Sequence, residues 1–179
     1  MDNIDLVQEW LTGMADDIQG FVKLMEDDRF PAETRQKAAG VVNYLFKSID
    51  LIPDGIDDIG FLDDVMTMRL CASGLDVGAI EPLDVELASK LKALGEDSSK
   101  IREILGEDIH RRFSRYVAGL SAGSARGRSA GEIVSLPDKL REVQMEANNF
   151  CKEYIAPQVE KSDRTLIKLK SFLDTRLPK

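Results

Sequence analysis

The stretch YLFKSIDLIPDGIDDIGFLDD, Tyr44 to Asp64, decides how the rest of the chain is read. Asp50, Asp54, Asp57, Asp58, Asp63 and Asp64 alternate there with Leu51, Ile52, Ile56, Ile59, Phe61 and Leu62. Solvated acidic loops rarely carry so many branched apolar side chains, so the segment reads as partly buried with its carboxylates held in set places. Pro53 disfavours helical geometry at Ile52, and a helix arriving from Pro31 is expected to stop near Ser48 to Asp50. Pro53-Asp54-Gly55 reads as a turn, because proline presets one dihedral and aspartate bonds its own backbone. Gly60 is expected to end a short helical turn in a left-handed conformation. Asp63 and Asp64 then fall in the first turn of a new helix, facing unpaired amides and the positive end of the dipole.

On that helix Leu62, Val65, Met66 and Ser73 share a face, and Arg69 falls near its middle. A guanidinium in an apolar stripe needs a partner, and Asp50, Asp54 or Asp58 of the preceding loop is the expected one. Hard cations also take oxygen ligands. The calcium-loop template fails, since counting from Asp50 puts Ile52 third and Phe61 twelfth. A looser magnesium or manganese site on Asp54, Asp58, Asp63 and Asp64 stays open, and a divalent cation is the one cofactor the residues suggest.

Outward from this stretch the pattern is helical. Ile4, Val7, Leu11, Met14, Ile18, Phe21 and Met25 form a seam spaced three and four, with Trp10 beside it, as in a bundle helix. The second helix, from Pro31, uses Ala38, Val41, Val42, Leu45 and Phe46. Gly40 within it costs about 1 kcal/mol relative to alanine and suggests a close crossing. From Asp84 to Leu120, Leu94-Gly95-Glu96-Asp97 is echoed by Leu105-Gly106-Glu107-Asp108. Each glycine could end one helix while the acids begin the next, or a helix could run through Gly106. Ile101, Ile104, Leu105, Ile109, Phe113 and Val117 mark the buried side. Ser135-Leu136-Pro137-Asp138 reads as a serine-capped helix start, and Pro157 as the start or kink of a last helix with Leu166, Leu169, Leu173 and Leu177. The expected organisation is an all-α bundle: a helical domain over 1–80, a helical connector over 81–120, a flexible Gly/Ser/Arg loop over 121–134, and a C-terminal helical hairpin over 135–179 on the same core.

Charge is unevenly shared. Residues 1–97 carry 21 acids against 8 bases, a net of −13, and residues 98–179 carry 11 acids against 16 bases, a net of +5. DNA binding by the acidic half is not expected, while the asymmetry suits pairing of the halves, a homo-oligomer or a protein partner. Two cysteines, Cys71 and Cys151, fit a reducing cytoplasm rather than a disulfide framework. No apolar run approaches bilayer length, and the opening residues have no secretory pattern. His110, the single histidine, lacks the companions of a zinc site or a triad and is expected on a helix surface. Arg111, Arg112 and Arg115, followed by Arg126 and Arg128 in the Gly/Ser loop, are candidates for holding phosphate, anionic lipid or RNA, or else a solvated face pairing with the acidic half.

The motif Tyr44, Asp50-Leu51-Ile52-Pro53-Asp54, Ile56, Gly60 and Leu62-Asp63-Asp64 resembles the core of the YkvA-like bacterial domain of unknown function, over about residues 35–71. Lys47-Ser48 stands where that family often has Ser-Pro, and Asp57 where a second proline is usual. The resemblance implies a helical fold with Asp50, Pro53, Asp54, Gly60, Asp63, Asp64 and Arg69 as motif residues, and it implies no catalytic residues. Three functions follow as expectations: a non-enzymatic scaffold or protein-interaction module, first; a divalent-metal-dependent hydrolase on the aspartates; and an anion or membrane-surface binder on the arginines.

Overall fold

The structure, a computed structural model, describes residues 2–46, 51–56 and 59–179. Helix α1 (Asn3–Glu26) buries all seven seam residues together with Trp10. It lies along α2 (Ala32–Leu45), whose Ala38, Val41, Val42 and Leu45 are buried. Residues 47–50, where α2 was expected to end, lie outside the described residues. Gly40 has the expected close contact: a Cβ there would sit 2.7 Å from the carbonyl oxygen of Leu120, so α2 is pressed against another backbone.

Helix α3 (Leu62–Ser73) is the axis of the bundle. Every residue from Leu62 to Ala72 is buried, Asp63, Asp64, Thr67 and Arg69 included. A helix enclosed on all sides must find partners for its polar groups on its neighbours. Those neighbours are α1, α2, α5 (Val85–Glu96), α6 (Ser98–Leu105) and α7 (Glu107–Gly119), with the single turn α4 (Val77–Ile80) leading into α5. The two Leu-Gly-Glu-Asp pieces behave differently. Gly106, at φ +85°, separates α6 from α7, a conformation glycine adopts without strain. Gly95 stays within α5, where a Cβ would lie 3.0 Å from the backbone of Ser73.

The 121–134 stretch, expected as a loop, carries regular structure. A 3-10 turn over Leu120–Ala122 leads into a hairpin of β1 (Ser124–Ala125) and β2 (Arg128–Ser129), then α8 (Ala130–Ser135). Arg126 (φ +54°) and Gly127 (φ +72°) form the two-residue connection, the dihedral signature of a type I′ turn. Ser129 and Glu132 close a capping box on α8.

Helix α9 (Pro137–Glu153) has Leu136, not Ser135, at its cap. The Ser135 hydroxyl is already spent on the carbonyl of Gly131 at 2.7 Å inside α8. Nor does Pro157 begin a helix. It lies in an extended segment tied to α1: Gln8 donates to its carbonyl (3.0 Å) and accepts from the Val159 amide (2.8 Å), and Tyr154 donates to the Leu11 carbonyl (2.8 Å). Helix α10 (Asp163–Arg176) starts after this, capped by Ser162. The expected C-terminal hairpin therefore opens out, α9 packing mainly on α1 and α8 and α10 on α7. One continuous core nevertheless runs from Ile4 to Leu177. Among the described residues no helix is long and apolar enough to cross a membrane.

Candidate functional site

The aspartate turn is built around one carboxyl. The Ile56 amide donates to the Pro53 carbonyl at 3.0 Å, closing the expected turn. Asp63, fully buried, accepts the Tyr44 hydroxyl at 2.6 Å and the Ile52 amide at 3.2 Å on the same oxygen, and the Tyr44 oxygen accepts the Leu51 amide at 3.2 Å. Asp63 and Asp64 do occupy the first turn of α3, but Asp63 reaches back to fix the preceding turn against α2. Burial and the Asp63 carboxyl push the Tyr44 hydroxyl far above its ordinary pKa, so it remains a donor throughout the working pH range. Gly60 is not left-handed as expected. It is required because a Cβ would run into the Asp54 carbonyl.

Of the cation candidates, Asp63 is engaged as described, Asp64 is buried and Asp54 is exposed as a residue, though partial desolvation of its carboxyl raises its pKa. Asp50 and Asp58 lie outside the described residues. Among the described residues, no group of three or more His, Cys, Asp or Glu side chains is placed to hold a metal ion.

Arg69 takes different partners from those expected. Its Nε donates to Asp97 at 3.0 Å, and one terminal nitrogen donates to the Val65 carbonyl at 3.0 Å and stands 3.3 Å from Asp17. The guanidinium also lies over Trp10, 4.8 Å from the ring centroid. Arg69 sits seven residues beyond Leu62, about 10 Å along the axis, so it meets α1 and the α5–α6 junction. Burial lifts the Asp17 carboxyl above its usual range, against the pull of Arg69 and Lys90.

The candidate arginines divide sharply. Arg112 is buried, and its five N–H groups reach Asp108, the Asp174 side chain and carbonyl, and the carbonyls of Leu177 and Pro178. Arg128, also buried, donates to Asn43 at 2.8 Å and pairs with Glu146. Both are structural clasps, one holding the C-terminal tail on α7 and the other holding the hairpin on α2 and α9. Arg111 pairs with Asp108, and Arg126 with Glu146 at 3.5 Å. Arg115, exposed on α7, has no hydrogen bond or ion pair among the described residues. His110 is half-buried, 3.1 Å from the Ser98 hydroxyl, rather than free on a surface. Burial lowers its pKa.

Arg115 lines a pocket of about 370 Å³ between α2, α7 and the hairpin. Tyr44 and Tyr116 stand edge to face in its wall, ring centroids 6.0 Å apart. Gly119, with open space at its Cβ position, leaves it room, and Leu120, Ala125 and Pro178 supply apolar surface. The rim is tied down. Asn43 donates to the carbonyls of Ala125 and Arg128 while accepting from Arg128, and Gln36 donates to the Ser121 carbonyl at 3.0 Å. Through Tyr44 this wall is bonded directly to Asp63 and the aspartate turn. Another depression among the described residues, a groove of about 630 Å³ between α1 and α9, is lined mostly by solvated polar side chains.

Comparison of the chain with protein-family models, with characterised proteins and with solved structures finds no match. Sequence reasoning missed Asn43, Asp17 and Asp97 as site-forming residues. A polar Asn in the apolar run Val41 to Phe46 was a readable signal, since a buried amide needs partners.

Proposed function

We propose that this chain is a non-enzymatic binding module, a helical scaffold that holds a small molecule in the pocket between α2, α7 and the 124–129 hairpin. The pocket itself carries the reading. Its volume of about 370 Å³ falls within the range of small-ligand sites, and its lining is mainly apolar with few polar groups. Its rim is fixed by the Asn43, Gln36 and Arg128 bonds, so little ordering is needed on binding.

Gly119 gives the test. Its backbone is right-handed helical (φ −76°, ψ −14°), it lines the pocket, and a Cβ there meets nothing within 4 Å, so Gly119→Leu adds bulk at the pocket wall without strain at its Cβ. In a fragment screen read by amide chemical shifts, hits are expected to move Gly119, Gly123, Ser124 and Ala125 and to lose binding in Gly119→Leu. Hits that shift other surfaces, or bind the variant equally, would overturn the reading.

A further inference from the structure

The pocket also carries information about what it holds. Among the described residues no Asp or Glu lines it, although the chain has 32 acidic against 24 basic residues. Two guanidiniums do line it, and they differ in what they can offer. An arginine has five N–H donors, and Arg112 has spent all five on carboxylates and carbonyls of α7 and the C-terminal tail. Its charge is met by Asp108 and Asp174. Asn43 has both amide hydrogens on the hairpin, and the Tyr44 hydroxyl is on Asp63. Among the described residues, Arg115 is the lining cation with donors to give and no acid paired to it. Around it lie the edge-to-face tyrosines and the apolar surface of Leu120 and Ala125.

We infer that the ligand is a small organic monoanion, a carboxylate on an apolar or aromatic body, with the carboxylate on Arg115 and the body against Tyr44 and Tyr116. This rests on the pocket being the binding site. A planar carboxylate matches the guanidinium fork with two parallel bonds. A phosphate monoester brings a charge of about −1.5 to −2, more than the one free cation among the described lining residues balances in an apolar setting.

Calorimetric titration of the full chain separates the claims. The probes are hydrocinnamate, its neutral analogue hydrocinnamyl alcohol, and inorganic phosphate, each against wild type, Arg115→Gln and Gly119→Leu. Charge-assisted bonds predict that wild type prefers hydrocinnamate over the alcohol by about tenfold or more. Arg115→Gln should erase that preference while keeping the alcohol affinity, and Gly119→Leu should weaken both. Arg115 is exposed and Gly119 open, so both variants should keep the wild-type melting temperature. Equal binding of acid and alcohol to wild type, both lost in Gly119→Leu, would overturn the monoanion and leave the pocket standing. Binding unaffected by Gly119→Leu would overturn the pocket itself. Tighter binding of phosphate than of hydrocinnamate, or no binding of hydrocinnamate at millimolar concentration, would overturn the inference.

Discussion

Replacing Arg69 by Met tests the core of the bundle. Arg69 is 4% exposed and joins Asp17 of α1, Asp97 at the α5–α6 junction and the Trp10 ring. Methionine fills most of the volume but strands Asp17, which is 6% exposed. Removing one partner of a buried pair typically costs 3–5 kcal/mol, and Lys90, 3.7 Å from Asp17, offsets part of it. A loss of about 3 kcal/mol is expected, lowering the melting temperature by about 6–12 °C for a domain of this size. The deficit should depend on pH. The Asp17 pKa is already raised by burial, and losing Arg69 raises it further. Between the unfolded and folded pKa values the folded variant holds a proton that the unfolded chain lacks, so its stability rises as pH falls through that window. The gap from wild type should therefore be wider at pH 7 than at pH 5, and adding Asp17→Asn should recover about 1 kcal/mol or more. Urea unfolding at both pH values measures this. A loss under about 1 kcal/mol at pH 7, as for an exposed ion pair, would refute the reasoning, as would a deficit independent of pH.

Other substitutions probe the turn and the hairpin. Tyr44→Phe removes the donor to Asp63 and the acceptor for Leu51, and should cost about 2 kcal/mol with faster amide exchange at Leu51. Gly60→Ala forces a methyl against the Asp54 carbonyl and should cost about 1–3 kcal/mol, measured by denaturant unfolding. Arg126→Asn should stabilise by about 0.5 kcal/mol, since asparagine accepts the left-handed conformation more readily than arginine. The partly exposed pair with Glu146 that it sacrifices is worth little, and a lowered melting temperature would count against the turn assignment.

What the sequence shows and what it hides follow the range of the interactions. The α1 seam was legible because its period is local, and each of its seven residues is buried. Gly40 was legible because a glycine inside a helix needs a reason, though the backbone it meets, Leu120, is not visible from the chain. The buried role of Arg69 was readable from its helix face, but its partners Asp17 and Asp97 come from other helices, and no local rule selects them over the nearer Asp54. Arg112 and Arg128 looked like members of a basic surface because distant carbonyls and carboxylates decide their burial. Pro157 resembled a helix start because Gln8, which holds its segment extended, is about 150 residues away. The pocket draws its walls from 40–44, 112–125 and 178, so only the folded chain could reveal it.

The most direct test of the central claim is a crystal structure of the full chain with hydrocinnamate. The expected result is ligand density between α2, α7 and the hairpin, with the carboxylate within hydrogen-bonding distance of the Arg115 guanidinium and the ring against Tyr44 and Tyr116. Density on another surface, or a carboxylate turned away from Arg115, would contradict the account.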